Sequence, residues 1–219
     1  MYDFIRGPLI PIAFVIFILG LIIQLVQFFK LTKKKEWVYP PLEVKSEKKK
    51  VGQWIAFCFA SLNGTLWKTD PAMTMMTSIF HVCLIVVPIF LLGHNILLDQ
   101  SWGFSLWSLP EFITDVLTLV VLICVAFFLA RRLFLSRVRA ITTVTDYVIL
   151  LIAAAPFLTG YLAYHQWFNY NAVMTLHILA GEVMLITIPF TKLGHMLFFF
   201  LYRFLIGGEY SFAKGARAW

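Results

Sequence analysis

Four of the five histidines in this sequence interrupt two long apolar stretches, where a polar ring is costly to bury and usually has a function. His81 and His94 lie in PAMTMMTSIFHVCLIVVPIFLLGHNILL, and His177 and His195 lie in NAVMTLHILAGEVMLITIPFTKLGHMLFFFLYRF. Neutral imidazole is a frequent metal ligand and an axial ligand of haem iron. These residue types therefore indicate metal centres held between two apolar segments.

The spacing of each pair bears on how a helix would present the rings. His177 and His195 are eighteen residues apart, which is five helical turns, so one continuous helix would place both rings on the same face. They would lie roughly 27 Å apart, close to the thickness of a bilayer core. His81 and His94 are thirteen residues apart, which on an ideal helix separates the rings by about 20 Å and about 140°. Ideal geometry therefore does not place this second pair on one face.

A proline lies between the two histidines of each pair. Pro88 separates His81 from His94, and Pro189 lies in the other segment. Proline removes a backbone hydrogen bond and kinks a helix. We therefore expect neither helix to be straight.

The composition defines the class of protein. Hydrophobic residues make up 61% of the 219 residues, charged residues 13%, and the mean hydropathy is +0.85, whereas a soluble domain is about 45 to 50% apolar. We predict an all-α, polytopic membrane protein, a single domain over residues 1–219 built as a five-transmembrane-helix bundle. The runs long enough to span a bilayer lie at about 8–29, 72–98, 112–134, 142–164 and 171–204. The first is longer than the apolar region of a signal peptide and lacks a cleavage site, so we interpret it as a retained helix.

Basic residues predict the orientation of these spans. Lys and Arg concentrate in cytoplasmic loops, and one side of the predicted membrane carries sixteen of them while the other carries only Arg6. The sixteen are Lys30, Lys33, Lys34, Lys35, Lys45, Lys48, Lys49, Lys50, Lys68, Arg131, Arg132, Arg137, Arg139, Arg203, Lys214 and Arg217. We therefore predict an external N-terminus and a cytoplasmic C-terminus, in the cytoplasmic (inner) membrane of a bacterium or archaeon. The net charge of +7 is then explained without a nucleic-acid partner.

The stretch VGQWIAFCFASLNGTLW, residues 51–67, is apolar but flanked by lysine at both ends. A sixth crossing here would move the later arginines to the outside. We interpret it as an interfacial helix with Trp54 and Trp67 at the lipid headgroups. Docking of a cytoplasmic partner is the alternative.

The predicted orientation pairs the four histidines by depth. Asp70 followed by Pro71 is a good helix start, so the second span begins at the cytoplasmic surface. His81 then lies near the inner surface and His94 near the outer one. The fifth span runs the opposite way, which places His177 outside and His195 inside. Depth therefore pairs His94 with His177 and His81 with His195.

Two imidazoles at one depth are the ligand set of a b-type haem, and small residues nearby allow a flat macrocycle to approach the backbone. Gly93 and Gly194 directly precede two of the histidines, and Ala180 and Gly181 follow His177 by one turn. Histidines that hydrogen-bond between membrane helices are the alternative. Zinc fits less well because each depth offers only two nitrogen ligands. No CxxCH motif for covalent haem and no CxxC group for an iron–sulfur cluster is present.

The sequence resembles a known family in these features. The five-span plan, the paired histidines on spans two and five, the Gly93–His94 pair and the run LITIPFTKLGHMLFFF are similar to the di-haem cytochrome b family of the respiratory nitrate reductase gamma subunit. Within it, the heterodisulfide-reductase-like and sulfate-reducer transmembrane redox complexes are nearest. The resemblance covers most of the chain, and PFTKLGH is its most specific part.

This resemblance implies a function. The chain would carry two haem b groups and relay electrons between a quinone pool and a cytoplasmic iron–sulfur subunit, as the electron-transfer subunit of a membrane oxidoreductase complex. A periplasmic multihaem cytochrome c is the alternative partner at the outer haem. Besides its protein partners, the chain would contact membrane lipid.

Further residues are assigned to the haems and to quinone. Gly93 matches the family's motif beside its quinone pocket, and we add Asn95, Asp99 and His165 because menaquinol oxidation needs proton acceptors. His165 lies beside Tyr161, Tyr164 and Trp167, where an interfacial polar residue is the alternative. Lys192 and Arg131 are assigned to haem propionates.

The rival hypothesis is a haem-free membrane transporter or anchor subunit. Glu182 and Lys192, both in the fifth span, would then be the coupling residues. The sequence shows no inverted repeat, and we expect no Gly/Pro-broken helices in corresponding halves, which argues against this class.

Overall fold

The computed structural model describes residues 4–32 and 70–199, and within these ranges the chain is helical and forms no strand. A π-helical turn, Ile5–Leu9, leads into α1, Ile10–Thr32. The later helices are α2 (Pro71–Phe90), α3 (Leu92–Trp102), α4 (Glu111–Phe134), α5 (Ser136–Arg139), α6 (Val144–Tyr164) and α7 (Tyr170–Thr187). Two 3-10 turns follow, Ile188–Phe190 and Lys192–Gly194, and residues 195–199 are helical. The predicted interfacial helix 51–67 and the basic C-terminal tail lie outside the described residues.

Five of the described helices are long and apolar enough to cross a bilayer. They are Gly7–Lys30, Pro71–Phe90, Glu111–Phe134, Val144–Tyr164 and Tyr170–Phe190. Their outward surfaces are apolar, as the exposed Ile18, Ile22 and Val82 illustrate. The prediction of an all-α, polytopic membrane protein with five spans is therefore confirmed, and lipid surrounds these helices.

Local sequence explains several helix boundaries. The Asp70 side chain accepts a hydrogen bond from the Met73 amide at 3.1 Å and Pro71 opens α2, as predicted. Asn169 caps α7 in the same way, accepting from the Ala172 amide at 3.1 Å. Gly103 ends α3 in the left-handed conformation, with φ of 71°.

The chain divides into two compact units. The middle unit is Val26–Ala130, and the terminal unit combines Met1–Leu25 with Arg131–Trp219. Two of the four span histidines, His81 and His94, belong to the middle unit. His177 and His195 belong to the terminal unit.

In the middle unit, α2 and α4 meet through the ends of large side chains. The rings of Phe80 and Phe128 pack edge to face with centroids 5.3 Å apart. The sulfur of Cys124 lies 3.9 Å from that of Met76. Buried α4 residues recur every three or four positions, from Thr114 through Phe128, which forms one stripe along the helix.

In the terminal unit, α6 and α7 form an antiparallel pair joined by a short connection. The N-terminal helix α1 contacts the segment after α7, because a Cβ added at Gly20 would lie 2.7 Å from the Pro189 ring. The Gln24 side-chain amide donates a hydrogen bond to the Pro189 carbonyl oxygen. Glycine at position 20 therefore permits the close approach of α1 to the Pro189 turn.

Both histidine-bearing spans are interrupted between their histidines. The predicted span 72–98 is two helices, because Leu91 has extended backbone angles (φ −69°, ψ 127°). The predicted span 171–204 leaves regular α-helix after Thr187 and passes through two 3-10 turns separated by the extended Thr191 (φ −127°, ψ −178°). The expectation that one continuous helix holds His177 and His195 on a single face is therefore wrong. The proline-linked bends that we expected are breaks.

Candidate functional site

His81 lies in the third turn of α2 and is half-buried. Its Nδ1 is 2.7 Å from the carbonyl oxygen of Thr77, one turn earlier in the same helix. The Phe80 ring packs edge to face against it, with centroids 5.4 Å apart. The helix itself therefore holds this ring by one nitrogen.

His94 follows the break at Leu91 and helps to close it. The last carbonyls of a helix have no partner within that helix, and at the end of α2 they find specific donors. His94 Nδ1 lies 2.8 Å from the Pro88 carbonyl oxygen, and the Leu109 amide donates to the Phe90 carbonyl at 2.9 Å. The break thus positions His94 through a carbonyl that α2 cannot satisfy.

Asn95 also serves this break. It is 2% exposed, and its Nδ2 donates to the Ile89 carbonyl at 3.3 Å and to the Ser108 hydroxyl at 2.9 Å. Its Oδ1 accepts from the Leu106 amide at 3.3 Å. Asn95 is therefore a buried tether between the break and the loop before α4. The assignment of Asn95 to quinone remains a prediction.

His177 lies in α7 and faces α6. Its Nδ1 is 2.9 Å from the Pro156 carbonyl oxygen and 3.4 Å from the Thr159 hydroxyl. A Cβ at Gly160 would lie 2.9 Å from Cε1 of the ring, so only glycine leaves room for the imidazole. Sequence reasoning missed these three α6 residues, because nothing in the sequence shows which residues of another helix face His177.

His195 follows the second 3-10 turn. Its Nδ1 lies 2.5 Å from the Lys192 carbonyl oxygen. A Cβ at Gly194 would lie 3.0 Å from the Ile188 carbonyl oxygen, so the glycine before this histidine permits a tight backbone approach. Thr191 stabilises the turn by accepting from the Leu193 amide at 3.2 Å.

The four rings share one chemical feature: each Nδ1 faces a backbone carbonyl oxygen. A carbonyl can only accept a hydrogen bond, so each Nδ1 carries the proton. In the neutral imidazole the lone pair then lies on Nε2. Histidines that bind metals through one nitrogen typically donate the other N–H in this way, which fixes the ring and raises its basicity. The four side chains therefore fit the role of Nε2 ligands to haem iron.

The residues assigned to propionates have other surroundings. Lys192 Nζ lies 2.8 Å from Asp146 Oδ1, on a lysine side chain that is 67% exposed. The other oxygen, Asp146 Oδ2, accepts from the Thr143 amide at 2.9 Å and from its hydroxyl at 2.8 Å, which caps α6. Arg131 is half-buried in the last turn of α4. The propionate assignment of Lys192 and Arg131 remains a prediction.

Around His165, at the end of α6, the structure gathers an aromatic cluster. The ring centroids of Tyr161, Tyr164 and Trp167 lie 4.3, 5.1 and 5.9 Å from that of His165. The backbone next to His165 is in the left-handed region at two non-glycine residues, Gln166 (φ 54°) and Phe168 (φ 65°). Asp99, which we also assigned to quinone, is an exposed residue of α3 in the middle unit.

Gly93 is exposed, and a Cβ at this position would meet no atom within 4 Å. Gly181 has the same open surroundings. A side chain at either position therefore does not disturb the packing of the chain itself. Substitutions there can report on a ligand without unfolding the protein.

Glu182, which the transporter hypothesis makes a coupling residue, is a buried polar residue of α7. Its side chain is 4% exposed, and neither carboxyl oxygen has a hydrogen-bond partner among the described residues. Over those same residues, no group of three or more His, Cys, Asp or Glu side chains is close enough to hold a metal ion.

No known protein-family profile matches the chain. It is 34% identical over 223 residues to a protein of Nitratidesulfovibrio vulgaris strain Hildenborough, and the alignment covers 98% of this chain and 96% of that relative. The relative is described only as "Protein", so the likeness carries no activity with it. Since the similarity extends over nearly the full length of both, the chain belongs to the same family as this Nitratidesulfovibrio vulgaris protein.

Proposed function

We propose that the chain is a di-haem membrane electron-transfer subunit of the cytochrome b type. The observation that carries this proposal is the shared orientation of His81, His94, His177 and His195. Each donates Nδ1–H to a carbonyl oxygen, which presents Nε2 as the ligand atom. The resemblance of LITIPFTKLGHMLFFF to the nitrate reductase gamma family supports the same assignment.

The order of the histidines along the chain pairs them. His94 and His177 would hold the outer haem, and His81 and His195 the inner one. When bound, haem iron with two imidazole ligands carries one electron at a time. The chain's own residues fix the ligands. Carbonyls of Thr77, Pro88, Pro156 and Lys192 orient the rings and keep Nδ1 protonated.

The surroundings of the rings suit this role. His81 and His177 are half-buried within helices that are apolar enough to cross a bilayer, and His94 is half-buried in α3. The helix α2 ends at Phe90, about one turn before His94, and a 3-10 turn, Lys192–Gly194, directly precedes His195. Carbonyls released by such a break are fixed acceptors, because they belong to backbone that packing holds in place.

The distribution of basic residues supports the orientation proposed for the complex. With an external N-terminus, the lysine-rich segment and Arg131 to Arg139 face the cytoplasm. A cytoplasmic iron–sulfur subunit would dock there, and electrons would pass between it and a menaquinone pool or a periplasmic multihaem cytochrome c. Purification from native membranes should therefore yield this chain together with a redox partner. Recovery of the chain alone would count against a complex.

Quinone would react near the outer haem, and Gly93 and His165 are two of the residues that we assign to it. A bulky Gly93→Phe substitution meets open space, so folding and both haem signals should persist while a menaquinol analogue no longer reduces the haems. His165→Ala tests the proton acceptor. Normal reduction of the Gly93→Phe variant would move the entry point of electrons to a periplasmic cytochrome.

A visible spectrum of the purified chain, oxidised and then reduced with dithionite, tests the proposal. We expect two b-type components. His94→Gln and His177→Gln should remove the same component, and His81→Gln and His195→Gln the other, because glutamine keeps an N–H donor but is not a haem ligand. The control His165→Ala should keep both components. A chain without a b-type band would refute the proposal.

The transporter hypothesis gains one observation. We expected no proline-broken helices in corresponding halves, but two spans are discontinuous, one after Pro88 and one at Pro189. Discontinuous helices often form ion and substrate sites in transporters, and Glu182 is buried in one of these spans. A haem-free transporter remains the second candidate. Proton uptake by liposomes that contain haem-free protein would favour it.

A further inference from the structure

Glu182 lies in the middle of α7, and its carboxyl group is enclosed without a hydrogen-bond partner among the described residues. Only 4% of its surface is exposed. An isolated carboxylate in apolar surroundings is so unfavourable that the group takes up a proton instead of remaining charged. Within a membrane helix, such a residue usually has a function.

The described elements that pack most extensively against α7 are α6, the π-helical turn Ile5–Leu9 and the 3-10 turn Ile188–Phe190. His177 precedes Glu182 by five residues, so its ring points about 140° away, toward α6.

The elements packed against α7 offer few charges to Glu182. In α6 no titratable side chain occurs between Tyr147 and Tyr161, and in α1 none occurs between Ile10 and Gln24. The π-helical turn that also packs on α7 contains one charged residue, Arg6. In α7 itself, His177 is the titratable residue nearest in sequence. Among the described residues, these stretches of α1 and α6 therefore supply no charged side chain that could neutralise the carboxylate, and a proton can do so.

We propose that Glu182 is a proton-binding site whose occupancy follows the charge of the redox centre held by His177. In the reduced protein the carboxyl group is protonated and neutral. When an electron leaves, the proton leaves the carboxyl oxygen as well, and the resulting carboxylate balances the positive charge that remains. When an electron returns, either from a one-electron donor or as one of the two electrons that a quinol releases, the carboxylate takes up one proton from the quinol or from water. This coupling rests on the proposed function.

Infrared spectroscopy tests the proton directly. The reduced wild-type protein should show the carbonyl-stretch band of a protonated carboxylic acid, which shifts in heavy water. Glu182→Gln should abolish that band while retaining both haem components, because glutamine is neutral and nearly isosteric. The matched control Glu111→Gln changes an exposed glutamate at the start of α4 and should leave the band in place.

A redox titration tests the coupling. The midpoint potential of the component that His177→Gln removes should fall with rising pH, toward about 59 mV per pH unit for one proton per electron. Glu182→Gln should flatten this slope, whereas Glu111→Gln should not. The inner component should be little affected by either variant.

The outcomes separate this inference from the proposed function. A wild-type chain without haem refutes the proposed function and removes the coupling with it. Haem-loaded protein without an acid band, or with a band that survives in Glu182→Gln, refutes the proton site. A band that Glu182→Gln removes, with an unchanged potential slope, refutes the coupling. If Glu182→Gln does not fold, Glu182→Asp serves as the second variant. It keeps a carboxylic acid but changes its position, so it should shift the frequency of the acid band and change the slope of midpoint potential against pH.

Discussion

Gly160→Ala should displace His177 without touching its chemistry. The added methyl would lie 2.9 Å from Cε1, 3.2 Å from Nδ1 and 3.7 Å from Nε2 of the ring. Carbon atoms pack at about 3.5 to 4.0 Å, so the imidazole must retreat from α6 by roughly 0.6 Å. Pro156 lies one turn away on the same helix, and the retreat would stretch the 2.9 Å bond to its carbonyl toward the limit of a hydrogen bond.

Two effects lower the free energy of unfolding of Gly160→Ala. Overpacking a filled site costs about 1 to 3 kcal/mol, and weakening one hydrogen bond costs about 0.5 to 1.5 kcal/mol. Alanine also favours the helix by up to about 1 kcal/mol. A control that adds a methyl group in open space is Gly7→Ala, in the π-helical turn, where nothing lies within 4 Å of the added methyl. We therefore expect Gly160→Ala to be less stable than Gly7→Ala by about 2 to 4 kcal/mol.

Reversible denaturation in detergent measures the difference in stability between Gly160→Ala and Gly7→Ala. The measurement can be made on protein with or without haem. In haem-loaded protein, Gly160→Ala should also shift or weaken the spectral component that His177→Gln removes. The other component should be unchanged. Equal stability of Gly160→Ala and Gly7→Ala would refute the contact between the His177 ring and α6, and with it our account of how that ligand is positioned.

Three further predictions concern the packing around the breaks. Gly20→Ala should destabilise the chain by about 1 to 3 kcal/mol relative to Gly7→Ala in thermal denaturation, because its Cβ would lie 2.7 Å from the rigid Pro189 ring. Equal melting temperatures of the two variants would mean that α1 does not contact the Pro189 turn. Asn95→Ala should lower the free energy of unfolding by about 1 to 3 kcal/mol, because the Ile89 carbonyl and the Ser108 hydroxyl lose their donor. It should also speed amide exchange at Leu106, whose N–H loses its acceptor. The control Gln100→Ala, at an exposed residue of α3, should change neither quantity. Lys192→Ala should leave the midpoint of chemical denaturation almost unchanged, because the lysine of its ion pair with Asp146 is 67% exposed and such pairs contribute little to stability. A large fall in the midpoint would mean that the pair is enclosed in the native protein.

Sequence alone was sufficient for the five spans and the all-helical class. An apolar run specifies a membrane helix because the free energy of transferring its side chains from water into the bilayer adds up along the run. This sum depends only on composition and length, as in the run that contains Ile18 and Ile22. The start of α2 was also predictable, because Asp70 and Pro71 act on amides within one turn of themselves. The histidines were identified by residue type, and their pairing and haem binding stay predictions from the sequence.

The tertiary structure decided where the spans are interrupted and how the histidines are held. A proline in the sequence predicts a bend, but α2 ends at Phe90 because the released carbonyls find His94, Asn95 and the Leu109 amide as donors. The contact of His177 with Gly160 likewise joins two helices. Helix existence follows from local terms that add along the chain, whereas a break or a ring orientation depends on which donors and acceptors folding brings together.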